Sequence, residues 1–243
     1  MAVKSFPFCA GVTRVGLWPF LAPCEGAEHL PSGAGIVACN HSTFLDGIAL
    51  ASQYAWQRHR PLHMITHAAP FSHPLFGYIL RSSQCIPLDR ARAADGARQA
   101  MRKALAYLAR GEAVGIFPEA HLNPGPRLLR PRPGVAWLAL ESGAPVIPSG
   151  LVGGGRVWPA GKKLPRWVRP SRRMVWRIGP PLDFGEESRA YRQADADERV
   201  ILVARVLERV MREIALLCDR KCGKEYGGEE DDSTDSGASS EPD

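Results

Sequence analysis

The chain has 243 residues, 45% hydrophobic and 8% aromatic, which is enough to bury one sizeable core and excludes a fibrous or wholly disordered protein. Its formal charge is +6, from 31 Lys+Arg and 25 Asp+Glu. Eight of those acids lie in "EYGGEEDDSTDSGASSEPD" (225–243), so residues 1–224 hold 31 basic against 17 acidic residues, a net of +14, and such a surface attracts the phosphates of nucleic acid, membrane or substrate.

Residues 1–29 open the chain with an apolar segment. "SFPFCAGVTRVGLWPFLAPC" (5–24) lacks the uninterrupted apolar core and cleavage site of a signal peptide. Phe6, Phe8, Leu17, Trp18, Phe20 and Leu21 suit either a membrane interface or a helix packed on the core. "GIVAC" (35–39) reads as a short buried strand, followed by a polar turn and the apolar run "FLDGIALASQYAW". "PLHMIT" (61–66) alternates like a strand, "PLFGYILR" (74–81) reads as a helix and "QCIPLD" (84–89) as a strand.

Residues 94–110 put Ala97, Met101, Ala104, Leu105 and Leu108 on one helical face before Gly111, a stop signal. "AVGIF" (113–117) is a strand, "GVAWLALES" (134–142) a helix closed by Gly143, and "PVIPSGLVG" (145–153) a strand. In 197–218 Val200, Val203, Leu207, Val210, Ile214 and Leu217 recur at three and four, the mark of an amphipathic helix. Alternation of strands and helices throughout predicts a single α/β domain over 30–224. The acidic 225–243 has the composition of a solvated tail.

Between the last strand and helix lies "RVWPAGKKLPRWVRPSRRMVWR" (156–177), with eight Lys/Arg, no acid, and Trp158, Trp167 and Trp176. Basic residues beside tryptophans suit an anionic membrane interface. The same stretch also reads as a solvated basic loop followed by a strand with Trp176 in the core, and single-stranded nucleic acid would stack on the same rings. No run of 18 or more strongly apolar residues occurs, so a spanning helix is not expected.

The six cysteines (9, 24, 39, 85, 218, 222) form no C-x-x-C pair and read as free thiols of a reducing compartment. His59, His63 and His67 are spaced by four, but Pro61 interrupts any helix between them, which argues against a metal site.

The chemistry concentrates in "ACNHSTFLDG" (38–47), where His41 and Asp46 stand five apart. On a continuous helix such residues point about 140° away from each other. A strand ending at Cys39, a tight turn through Asn40, His41 and Ser42, and a helix starting near Thr43 would instead fold the imidazole back onto the carboxylate. A carboxylate at Nδ1 fixes the tautomer and leaves Nε2 to take a proton as general base. Taken alone the motif also fits a capped helix start with a turn histidine.

Four blocks in order, "NHSTFLD" (40–46), "IPLDR" (86–90), "IFPEA" (116–120) and "APVIP" (144–148), resemble the glycerolipid and lysophospholipid acyltransferase superfamily, and within it the 1-acylglycerol-3-phosphate O-acyltransferases. The resemblance covers about 30–185. It implies a mixed central β-sheet flanked by helices and direct acyl transfer from the thioester of acyl-CoA or acyl carrier protein to a lysophospholipid hydroxyl. By the same resemblance His41 is the base, Asp46 its orienting partner, Arg90 the ligand of the acceptor's phosphate and Glu119 a residue that places the acceptor. It implies no metal or other cofactor and no nucleic-acid partner, and sets the protein peripherally on the cytoplasmic face of a membrane. The pattern commonly carries Glu-Gly-Thr and then Arg after "FP", whereas this chain has Glu119-Ala120-His121-Leu122-Asn123, a departure that bears on the acceptor. Another lysolipid or a non-glycerol acceptor is the alternative within the same chemistry. A non-catalytic basic module binding membrane or nucleic acid is the alternative of a different class.

Overall fold

The computed structural model describes residue 11 and residues 15–159, 162, 164–167 and 169–222. The tail 225–243 and the aromatic residues Phe6 and Phe8 lie outside the described residues. A six-stranded sheet forms the middle layer: β1 (Gly35–Cys39), β2 (Leu62–His67), β3 (Ile86–Leu88), β4 (Ala113–Ile116), β5 (Val146–Val152) and β6 (Val175–Ile178). Their spatial order is β3-β2-β4-β1-β5-β6. The first five are parallel, and β6 runs antiparallel to β5, so the sheet is mixed as expected.

The helices are α1 (Asp46–Arg58), α2 (Pro74–Ser82), α3 (Ala93–Ala109), α4 (Gly134–Ser142), the single turn α5 (Gly154–Val157), α6 (Gly185–Gln193) and α7 (Ala196–Cys218). Two apolar layers flank the sheet. Ile36, Ala38 and Val146 face the layer under α3, α4 and α7, while Val37, Cys39 and Ile147 face the one under α1. Strands buried on both faces read as continuous apolar runs, which is why "GIVAC" and "PVIPSGLVG" carry no alternation.

Three sequence readings change. In α3 Ala97 is exposed, and the inner stripe is Gly96, Ala100, Ala104 and Leu108, a spacing of four. Small residues are needed there because a Cβ on Gly96 would collide with the Asp89 carbonyl. In α7 Val200 is 68% exposed, and the buried stripe begins only at Val206 and Leu207. The helices α5 and α6 were not legible: α6 buries only Ser188 and Tyr191, too little apolar surface to print a period.

Part of the N-terminal segment is built into the domain. Ala22 and Glu25 N–H groups donate to the Met174 and Trp176 carbonyls at 2.8 and 2.9 Å, and Met174 and Ile178 return the bonds to Phe20 and Glu25. Residues 20–25 thus extend the β6 edge, and Leu17 and Leu21 pack in the core. Trp176 is fully buried, as the loop-then-strand reading of 156–177 expects. Among the described residues no helix is long and apolar enough to cross a membrane, and none of the five described cysteines is disulfide-bonded.

The three spaced histidines fall on different elements: His59 caps α1 in a left-handed conformation (φ 53°), and His63 and His67 lie on β2. His63 is buried, its Nε2 2.6 Å from Glu112 Oε2 and its Nδ1 3.1 Å from the Gln84 carbonyl, with Tyr107 stacked on the ring at 3.6 Å. Arg110 holds the other Glu112 oxygen at 2.9 Å. Burial pushes the His63 imidazole below the usual histidine range, against the opposing pull of Gln84 and Glu112. Below about pH 6.5 the unfolded chain therefore takes up this proton more readily than the folded one, and acid costs stability. The thermal midpoint is expected to fall between about pH 7.5 and 5.5, and His63→Gln to flatten that slope. An unchanged slope in melting curves of the variant would refute the assignment.

Candidate active site

The carboxyl ends of parallel strands are where open α/β sheets bind ligands, and the candidate residues gather there. The chain leaves β1 at Cys39 into buried Asn40, whose side chain accepts the Leu151 N–H at 2.7 Å and donates to the Leu151 carbonyl at 3.2 Å. This locks the turn to neighbouring β5. His41 follows, and its Nδ1 lies 3.1 Å from Asp46 Oδ2.

Asp46 is fully buried, whereas the His41 side chain is 21% exposed. Backbone N–H groups of Ser42 and Thr43 donate to Asp46 Oδ2 at 2.5 and 2.8 Å, and the Thr43 hydroxyl donates to Oδ1 at 2.6 Å. A buried carboxylate is tolerable only with such compensation. These bonds also shift the helix: α1 begins at Asp46 rather than near Thr43, because residues 42 and 43 wrap around the carboxylate instead of entering the helix. The segment 153–154 closes the other side, where a Cβ on Gly154 would sit 2.7 Å from Ser42 Oγ.

Phe117, at the end of adjacent β4, stacks on the His41 ring with centroids 4.1 Å apart and planes 7° from parallel. Among the described residues Nε2 of His41 has no hydrogen-bond partner. One ring nitrogen is thus oriented by a carboxylate, one face is supported, and the second nitrogen remains to exchange a proton.

Glu119 is placed differently from the acceptor contact the resemblance implies. It is buried, with Oε1 accepting the His41 backbone N–H at 3.0 Å and Oε2 accepting from Asn123 Nδ2 at 2.5 Å and the Leu129 N–H at 2.9 Å. Both oxygens are occupied by protein donors, so its direct work is to hold the His41 loop against the 120–129 loop. Asn123, not singled out in the sequence, completes the clamp: its backbone N–H donates to the His41 carbonyl at 2.7 Å and its Nδ2 also reaches the Arg127 carbonyl at 2.7 Å. The only signal was a buried amide four residues after Glu119, and spacing alone does not reveal burial.

Arg90 lies in a 3-10 turn after β3 (Arg90–Arg92), exposed, and its guanidinium donates to the Ala120 carbonyl. Arg90 and Glu119 thereby flank one turn, and Glu119 joins it to His41 and Asp46. Ala120 has φ 56°, the left-handed region, at the position where the Glu-Gly-Thr pattern carries glycine. His121, Arg127 and Arg132 are exposed on the same loop.

An α/β sheet with a histidine–aspartate pair at a strand's carboxyl end and an arginine one turn away defines the class, and the sequence agrees: the acyltransferase family pattern matches residues 22–152. The chain belongs to the acyltransferase family. Among curated relatives, the chloroplast 1-acyl-sn-glycerol-3-phosphate acyltransferase LPAT1 of Arabidopsis thaliana is 27% identical over 154 residues, covering 61% of this chain and 41% of that protein. BAT2 of Brassica napus, with the same descriptive name, is 27% identical over 61% of this chain and 42% of its own. An uncharacterized protein of Mycobacterium tuberculosis is 29% identical over 58% of this chain and 39% of its own. The chain thus spans about two fifths of the length of these relatives. The crystal structure of the 1-acyl-sn-glycerophosphate acyltransferase PlsC from Thermotoga maritima superposes with a TM-score of 0.58 at 21% identity, over 87% of this chain and 79% of that one, a likeness of fold.

Two stability outcomes follow from the clamp. Ala120→Gly removes the left-handed penalty of a Cβ, worth about 1 kcal/mol, and should raise the thermal midpoint by about 2–4 °C. Glu119→Gln turns an amide N–H₂ toward a ring of donors and should lower stability by about 1–3 kcal/mol. Denaturant titration checks both, and a Glu119→Gln variant as stable as wild type would contradict the clamp.

Proposed function

We propose that the protein is an O-acyltransferase that moves a fatty acyl group from the thioester of acyl-CoA or acyl carrier protein to a lysophospholipid hydroxyl, with lysophosphatidic acid as acceptor and phosphatidic acid as product. The observation that carries this reading is the 3.1 Å contact between His41 Nδ1 and the buried Asp46 carboxylate, with Nε2 left for substrate. Nε2 of His41 takes the proton of the acceptor hydroxyl as its oxygen attacks the thioester carbonyl. The C–O bond forms, the C–S bond breaks, and the departing thiolate takes the proton back from the imidazolium. Asp46 holds the tautomer and stabilises the cation that forms between these steps.

No acyl-enzyme is needed, in keeping with a chain that carries no G-x-S-x-G elbow. The scheme uses protein groups and two substrates, without metal or other cofactor. Arg90 supplies the fork that reads the acceptor's phosphate, and the names of the plant relatives favour the glycerol phosphate acceptor. Glu119 contributes by placing the His41 backbone. Ala120 and His121, where the family pattern has glycine and threonine, support the second reading, a different lysolipid headgroup with the chemistry unchanged. The protein works peripherally at an anionic membrane surface on the cytoplasmic side, where its substrates reside.

Purified protein offered lysophosphatidic acid and acyl-CoA should form phosphatidic acid by mass spectrometry, and His41→Ala should abolish it. Full activity in that variant would overturn the mechanism. Asp46→Asn presents the wrong tautomer, and a loss approaching the roughly 10⁴-fold effect of the same change in a serine-protease triad is expected. Arg90→Ala should raise KM for lysophosphatidic acid far more than for an uncharged monoacylglycerol. Equal effects on both would remove Arg90 from phosphate recognition.

A further inference from the structure

The strand β6 and its preceding segment present rings to solvent where the core has no need of them. Trp167 is 79% exposed, Leu164 75%, Trp18 62% and Phe44 71%. Isolated exposed apolar side chains are ordinary, but these adjoin one another. Phe20 of the N-terminal segment meets Trp167 with ring centroids 5.7 Å apart, and Arg173 lies over the Trp18 ring at 4.9 Å. The Arg166 N–H donates to the Val157 carbonyl at 2.7 Å, which folds the basic segment back onto α5. Next along the chain, Trp158 meets Phe44 at 6.0 Å.

Phe44 belongs to the catalytic turn, between Thr43 and Asp46, and Gly154 of α5 backs the same turn. One continuous aromatic surface therefore runs from the N-terminal segment to within three residues of His41. The charge around it has one sign: 156–177 carries no acid, and Arg166, Arg169 and Arg172 are exposed.

We propose that this face, formed by Trp18, Phe44, Trp158, Leu164 and Trp167 with the arginines among them, docks onto an anionic lipid bilayer and thereby seats the catalytic turn at the interface. The inference rests on the acyltransferase reading and names the surface through which that site reaches its lipid. Charge complementarity selects the occupant. Rings whose edges sit at headgroup level and arginines that meet lipid phosphates form one layer here. A second copy of this chain would bring like charges together.

Flotation of the full chain with phosphatidylcholine vesicles, with and without phosphatidylglycerol, tests it. Wild type should float with the anionic vesicles, shift its tryptophan emission to shorter wavelength, and release in high salt by a large factor. The double variant L164S/W167S should lose about tenfold or more in partitioning, while its transfer between short-chain substrates dissolved as monomers stays at the wild-type rate. That rate also shows that the variant is folded. A second variant, R166E/R169E/R172E, should lose the preference for anionic vesicles. Flotation of both variants like wild type would overturn the proposal. So would a wild type that binds a single-stranded oligonucleotide or dimerises but leaves the vesicles alone. A wild type that floats but transfers no acyl group supports the docking face and overturns the catalytic reading instead.

Discussion

The buried carboxylate of Asp46 is the constraint on which the site depends. A charge with no solvent contact must be met by donors, and here the chain supplies them from residues 41, 42 and 43. That demand bends the connection between β1 and α1 into a loop around two oxygens. Helix start, turn shape and imidazole orientation are therefore one event. The tautomer that a general base requires comes from the same contacts that satisfy the carboxylate.

A second buried carboxylate repeats the device one strand away. Glu119 collects N–H groups from His41, Asn123 and Leu129, which ties the end of β1 to the loop after β4. The C-terminal segment joins in, since the Arg220 guanidinium donates to the Asn123 carbonyl at 2.8 Å and Lys221 and Leu128 pair through their backbones. The histidine is thus held at its ring by Asp46 and Phe117 and at its backbone by Glu119 and Asn123. Such support from both sides is what preorganisation of a base requires.

Outside the site, basic residues and rings divide by function. Trp176 and Tyr54 fill the core, whereas Trp18 and Trp167 remain on the surface. Arg58 caps the carbonyls of Ala27 and Leu30 and so holds the N-terminal segment to α1, and Arg177 joins Glu25 and Asp219. The arginines of 166–172 have no such internal task and face solvent.

What was legible in the sequence followed from periodicity and order. The parallel strands printed as apolar runs because both faces are buried, and four short blocks in the right order named the family and the His41–Asp46 pair. What the sequence could not carry was direction. The inner face of α3 turned on a close approach at Gly96, the start of α7 overhung the core at Val200, and α6 had too little apolar surface to announce itself. Within the site, Glu119 looked like a group for the substrate, and only the packing of the 120–129 loop turned it inward as a clamp. Asn123 gained its part by the same folding. Local pattern determines which residues gather at the carboxyl ends of the strands. Which way each side chain points there is decided by contacts between segments distant in the chain, and no local pattern encodes those.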